Sequence, residues 1–206
     1  MTSHLNTIRA IQRAVGAEPD GVFGPVSAGL VLRALTDVPD STPVAIDADS
    51  TLDIRTLTTI STLDPKCQDK FKRFMLLANA TAATFGCHYV MTGGSRSWDE
   101  QNDLYAQGRT NPGKRVTNAR GGYSWHNFDI AGDCSVFRGL AYLDETEPGF
   151  ADKVHKACSV HATACGLVWG GSWTGFKDLP HYQVDMGRSS PNAGDRAKFI
   201  KEGSVL

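Results

Sequence analysis

The sequence predicts an α+β domain preceded by a small all-α unit. Three observations carry that expectation. Two long stretches, 64–86 and 150–166, place apolar residues at helical spacing. Four short runs, 87–92, 130–137, 167–169 and 181–184, have the composition of strands and alternate with helical stretches. A polar segment with two prolines, 37–51, divides this pattern from a helical N-terminal stretch. The expected organisation is therefore a helical unit over 1–36, a linker over 37–51 and the main domain over 52–206.

In the first unit, Ile8, Ile11 and Val15 share a helical face and Gly16 supplies a stop. Glu18-Pro19-Asp20-Gly21 is a turn, and Pro25 opens a second helix lined by Val26, Leu30, Val31 and Leu35. Asp20 beside Gly21 lacks the further oxygen ligands of a calcium loop, so it reads as turn chemistry.

The main domain begins close to Leu52. Asp64-Pro65 is an N-cap followed by proline in the first turn. Cys67, Phe71, Phe74, Ala78, Thr81 and Phe85 then form one stripe, ended by Gly86. Cys87 to Thr92 is a strand, in which His88 reads as a structural histidine. Ser97 with Glu100 is a capping box, so a helix runs from there to about Gln107. Its N-terminal end offers free N–H groups, and Arg96 just before it suits a carboxylate or a developing oxyanion. Residues 109–123 are polar and carry Lys114, Arg115 and Arg120, which predicts a mobile loop over a cleft. Phe150, Val154, Ala157, Cys158, His161 and Cys165 mark a further helix ended by Gly166, with His161 as packing. Leu167-Val168-Trp169 is a strand, and 170–177 a glycine-rich loop.

The chemistry centres on Ser124 to Asp133, which holds His126 and Asp133, and on His181 in Asp178-Leu179-Pro180-His181. Two imidazoles and one carboxylate suit Zn²⁺ and leave a fourth position for water, whereas structural zinc sites are closed by four protein ligands. Phe128, Ile130 and Gly132 argue against a helix, and an odd offset on a straight strand would point the two ligands to opposite faces. The chain is therefore expected to turn near Asn127–Asp129 and enter a strand from Ile130 to Phe137. Pro180 biases Leu179 towards an extended conformation, so that His181–Val184 forms a strand beside the first. Zinc there would polarise a carbonyl and acidify water. Asp178 is the nearest candidate base, its carboxyl raised by desolvation to which Trp169 and Trp173 contribute; the alternative role is to orient a ligand histidine.

Composition limits the partners. Of 206 residues, 41% are hydrophobic and 21% charged, as in soluble globular proteins, and the formal charge of −1 argues against nucleic acid. No apolar run is long enough to insert into a membrane. The first residues lack the basic and apolar regions of a signal peptide, so synthesis in the cytoplasm and another route of release are expected. Five cysteines without CxxC spacing read as free thiols; Cys134 as a nucleophile lacks a partnering base. A monomer is expected.

Ser124-x-His126-x-x-x-x-Ala131-x-Asp133, with Asp178-x-Pro180-His181, resembles the zinc D-alanyl-D-alanine carboxypeptidase and L-alanyl-D-glutamate endopeptidase family. Arg96-Ser97-x-x-Glu100-Gln101-x-x-Leu104-Tyr105-Ala106-Gln107-Gly108-Arg109-Thr110 and Gly170-Gly171-x-Trp173 look like its phage endolysin branch. The likeness covers about residues 52–184. It implies that His126, Asp133 and His181 bind Zn²⁺, that Asp178 is the base, and that Arg96, Gln101 and Ser124 face the substrate, Arg96 also assisting catalysis. It further implies helices packed on a small antiparallel sheet that carries the metal. Asp20-Gly21-x-Phe23-Gly24, with its surroundings, resembles the peptidoglycan-binding domain of wall hydrolases. Together these imply an endolysin that leaves the host cytoplasm through a holin pore and cuts the stem peptide of peptidoglycan at the L-alanyl-D-glutamate bond. The alternatives are a D-alanyl-D-alanine carboxypeptidase, or a non-catalytic wall-binding or structural protein with a vestigial zinc site. Two positions depart from the family: Asp129 stands where glycine is usual, and Ser95 where an aromatic residue usually precedes the arginine. Asp129 introduces a charge that could compete for the metal.

Overall fold

The structure, a computed structural model, describes residues 52–206. The expected helical unit over 1–36 and linker over 37–51 lie outside the described residues.

Helix α1 (Ile54–Ser61) opens on Asp53, whose carboxylate accepts the Thr56 N–H at 2.9 Å. Helix α2 (Pro65–Ala83) opens on Asp64, which caps Lys66 N–H, with proline in its first turn as the sequence predicts. Cys67, Phe71, Phe74, Met75 and Ala78 line its buried face. Phe85, expected on that stripe, lies beyond the helix end, is 39% exposed and meets Phe150 edge-on. Strand β1 (His88–Gly93) follows, then α3 (Trp98–Ala106), opened by the expected Ser97–Glu100 capping box.

A 3₁₀ turn, Trp125–Phe128, ends at Asp129 in the left-handed conformation. It delivers the chain into β2 (Ala131–Arg138), within a residue of the predicted strand. After the two-residue strand β3 (Ala141–Tyr142) and the short helix α4 (Leu143–Thr146) comes α5 (Pro148–Ser159). The single helix expected over 150–166 is broken. The Ala162 carbonyl takes the N–H groups of both Cys165 and Leu167, so the chain tightens into a 3₁₀ turn, Thr163–Cys165, before Gly166. Strands β4 (Leu167–Trp169) and β5 (His181–Val184) complete the sheet, and α6 (Ala193–Glu202) closes the described chain.

The sheet order is β1-β2-β5-β4, with β3 beside β2, and every pairing is antiparallel. Alternation along the strands gives it two unlike faces. Tyr89, Met91, Cys134, Val136 and Tyr182 point into a core shared with α2 and α5, where the Phe74 and Tyr182 rings lie 4.3 Å apart. Burying a side chain such as Phe71, Phe74 or Met75 stabilises the fold by about 1.5–3 kcal/mol. Within this core a polar chain runs from Tyr182 Oη to Tyr89 Oη to His155 Nδ1, and His155 Nε2 meets Asp144 at 2.6 Å. Every one of these groups is partnered, which is what lets them stay buried. The opposite face presents Thr92, Asp133, Ser135, His181 and Gln183 to a cleft. Among the described residues no helix is long and apolar enough to cross a membrane.

Candidate metal centre

The register of the central strands builds the site. Asp133 on β2 lies directly opposite His181 on β5, and Gly93 at the end of β1 lies opposite Asp133 on its other side. A bulge between Met91 and Gly93 ends the β1 ladder there. The 3₁₀ turn then folds His126 over the end of the sheet. The odd offset between His126 and Asp133 is resolved as the sequence requires, by a turn between them.

His126 Nε2, Asp133 Oδ1 and His181 Nδ1 stand 3.2, 3.2 and 3.3 Å from one another. A tetrahedral zinc with ligand bonds of ~2.0 Å would set its ligands about 3.3 Å apart, so the triangle has the size of one tetrahedral face. The tautomers agree. His126 Nδ1–H donates to the Gly94 carbonyl at 2.7 Å, and His181 Nε2–H donates to Gln183 Oε1 at 3.1 Å. Each ring is thereby left with a lone pair on the nitrogen that faces the triangle. Two such lone pairs and a carboxylate oxygen repel unless a cation or protons lie among them. The residues present therefore fit Zn²⁺, and they are the only such group of three among the described residues.

The electrostatics follow from this crowding. Burial works against the Asp133 carboxylate, but the neighbouring His126 and His181 outweigh it and hold Asp133 well below the usual carboxylate range. Burial likewise disfavours a charged His181, yet its hydrogen bond to Asp133 and the charges of Asp133 and Asp178 leave it raised. For Asp178, burial first and the Asp133 charge second push the carboxyl up, with His181 and His126 pulling the other way.

A cleft of about 1000 Å³ opens onto the three donors. Asp178 and Ser124 line it, with 116–119 and Tyr123 on one side and 172–176 on another part of its wall. Trp173 packs its ring 5.2 Å from that of His181. Arg96 also lines the cleft; its Nη2 is 3.6 Å from Asp133 Oδ2, while Nη1 donates to Gln101 Oε1 at 2.8 Å. Gln101, expected to face the substrate, is instead fully buried. Its amide nitrogen donates to Thr117 Oγ1 and the Ala119 carbonyl, so its side chain is spent on fixing Arg96 and pinning loop 109–123. That loop is further fastened by Arg109, whose guanidinium donates to the Tyr105 carbonyl and lies 3.9 Å from the Tyr105 ring centre.

Three contributors escaped the sequence reading. Gln183 is two residues beyond His181 on a strand, and that period-two spacing is the signal for a partner on the same face. Gly94 contributes only a carbonyl, which side-chain patterns do not report. Asn127 donates to the carbonyls of Arg96 and Ser97 and accepts from Gly122 N–H, stitching three loop segments together. The Asp129 carboxylate is not among the three grouped donors; it accepts a hydrogen bond from Ser95 Oγ. Cys134 points into the core, 1% exposed, and burial pushes its thiol well up, away from nucleophilic use. All five cysteines are buried and free.

Residues 117–184, which carry all three donors and Asp178, match the family model described as D-alanyl-D-alanine carboxypeptidase. The chain is 40% identical over 112 residues to the peptidoglycan L-alanyl-D-glutamate endopeptidase CwlK of Bacillus subtilis (strain 168). That match takes in 51% of this chain and 65% of the relative's length. Among solved structures, the L-Ala D-Glu endopeptidase ChiX of Serratia marcescens superposes with a TM-score of 0.42 at 20% identity, covering 65% of this chain and 89% of that one. A vancomycin-resistance D,D-pentapeptidase, VanY, solved with Zn(II), gives 0.42 at 12% identity, covering 69% and 80%. The resemblance read from the sequence is thus found again in the segment that holds the site.

Proposed function

We propose that this chain is a zinc-dependent peptidoglycan peptidase that hydrolyses the L-alanyl-D-glutamate bond of the stem peptide, the activity for which its 40%-identical relative is named. The observation that carries the reading is the donor triangle of His126, Asp133 and His181, sized for zinc and open to a cleft.

Zinc held there supplies a Lewis acid, which draws charge from a carbonyl oxygen and lets water lose its proton near neutrality. Everything else falls to the chain. Asp178, with its carboxyl raised by burial, accepts the proton of the attacking water and returns it to the leaving amine. Arg96 keeps Nη1 on Gln101 and Nη2 beside Asp133, and lines the cleft between them, where a substrate carboxylate or a developing oxyanion would be held. Ser124 lines the same wall and can hydrogen-bond a substrate amide. His126 and His181 are fixed in one tautomer by Gly94 and Gln183, so they need no rearrangement to act as ligands.

The same reading extends to the whole chain as a monomeric phage endolysin. Its supports are the run from Arg96 to Thr110 and the wall-binding motif at Asp20–Gly24. In that role it is made in the host cytoplasm, passes a holin pore and is held on the wall by residues 1–36. Tethering raises the local concentration of the peptidase on an insoluble substrate.

The test is digestion of purified peptidoglycan with zinc and with a chelator, followed by mass spectrometry of the fragments. New amino termini at D-glutamate, lost on chelation, are expected. Release of terminal D-alanine alone would move the reading to a carboxypeptidase, the reaction in the family description. Zinc uptake with no fragments at any pH would leave a non-catalytic wall-binding protein.

A further inference from the structure

Asp129 is the only non-glycine residue with positive φ among the described residues, at 59°. Side chains rarely adopt that conformation, and residues held in it cluster at functional sites. It lies three residues after one metal donor and four before another. Its side chain and backbone are both committed. The carboxylate accepts from Ser95 Oγ, while the carbonyl accepts the Asp64 N–H at 2.8 Å and the Cys67 thiol at 3.6 Å.

Ser95 is held from the same corner of the fold. Its N–H donates to Thr62 Oγ1 at 3.0 Å. Gly94 before it lies so close to α1 that a Cβ would sit 2.5 Å from Thr62 Oγ1 and 2.9 Å from the Thr59 carbonyl. On either side of Ser95 are the two groups that hold His126: the Gly94 carbonyl takes its ring N–H, and the Arg96 N–H donates to its carbonyl at 3.0 Å. The Ser95–Asp129 bond therefore closes a ring. Segment 94–96 and segment 126–129 are each anchored at the α1–α2 corner; Asn127 Nδ2–H also donates to the Arg96 carbonyl at 2.9 Å, and among the described residues the Ser95–Asp129 bond is the one tie between the two segments made side chain to side chain.

We propose that Ser95 and Asp129 form a clasp that positions the His126 imidazole for the metal. The proposal rests on the metal-centre reading given above. Asp129 is a positioning residue, acting through Ser95 and Gly94, and its left-handed backbone is what aims its carboxylate at Ser95.

The experiment measures zinc affinity by competition with a chromophoric chelator, and thermal midpoints of the zinc-free protein, for wild type, Ser95→Ala, Asp129→Gly and Asp129→Asn. Loss of a group that orients a ligand weakens metal binding about 10- to 100-fold. Ser95→Ala and Asp129→Gly are expected to bind zinc about tenfold more weakly. Asp129→Asn, which keeps an accepting oxygen and tolerates the backbone, is expected to stay within about threefold of wild type. Asp129→Gly relieves the backbone, so its zinc-free midpoint should not fall in parallel. Affinities of both weakened variants within twofold of wild type would overturn the clasp. So would a loss of affinity that follows the loss of midpoint in every variant, since a purely structural contact behaves that way. Because the readout is zinc rather than turnover, wild type that binds zinc but cuts no wall leaves this result readable, whereas wild type that binds no zinc overturns the metal reading and the clasp together.

Discussion

At the scale of single residues, the site divides its polar groups between holding and reacting. His126, His181 and Gln101 have every polar side-chain atom engaged by the protein or by the donor triangle. Asp178 lines the cleft, its carboxylate makes no hydrogen bond among the described residues, and its carboxyl is raised by burial and by Asp133. A group that only oriented a ligand histidine would show a short contact to that ring. Asp178→Asn is therefore expected to lower turnover about 10²- to 10⁴-fold while zinc binding is retained. With Asp178 as the proposed base, the acid limb of the wild-type pH–rate profile is expected to follow its raised carboxyl and to disappear from whatever activity the variant retains. Metal analysis and a pH profile of the variant check both points.

At the scale of elements, glycines decide how closely the loop that carries Asp178 approaches the sheet. The Gly170 carbonyl accepts the N–H of Asp178 at 3.2 Å. A Cβ on Gly170 would lie 2.6 Å from the Asp178 carbonyl and 3.1 Å from His181 Cβ, so backbone must move. Gly170→Ala is expected to cost about 1–3 kcal/mol of stability and to lower zinc affinity and turnover together, because it displaces His181 and Asp178 at once. Thermal melts and a zinc titration would show it; unchanged values in both would mean that the loop yields freely. The same scale explains what could be read in the chain. The Asp64-Pro65 opening, the Ser97–Glu100 box and the turn before β2 announced themselves because each is local chemistry. Helix α1 escaped because IRTLTTIS is rich in β-branched residues and buries only Thr56 and Ile60. Its place is fixed by Thr56, which bonds Asp53 and accepts the Met91 N–H of β1. Helix α6 carried a signal that went unused, the capping box of Asn192 and Asp195. The burial of Gln101 could not be read, since it depends on where residues 117–119 return.

At the scale of the whole molecule, protons and zinc compete for one set of donors, and stability should report the competition. In the metal-free protein His181 is raised above its ordinary 6.5, so its contact with Asp133 stabilises the fold fully below that value. The contribution is lost as pH rises through the folded-state value. The same contact seen from Asp133, depressed below its ordinary 3.8, is present above that value and lost as pH falls further. Zinc needs both imidazoles unprotonated, so its stabilisation grows over the window in which the proton's contribution fades. Melting temperatures between pH 6 and pH 8 should decline without metal and rise with excess zinc. Parallel slopes in the two series would remove His181 from the ligand set.

The placement of the donors on β2, β5 and the 3₁₀ turn that precedes β2 has a consequence for how the chain reaches its native state. His126 and His181 are 55 positions apart, and the Asp133–His181 pairing exists only when two strands distant in sequence have met in one register. A slip of a single residue would turn one donor to the opposite side of the sheet. The ion can thus be captured only late, after assembly of the sheet, and its uptake during refolding would mark the arrival of the correct topology rather than seed it.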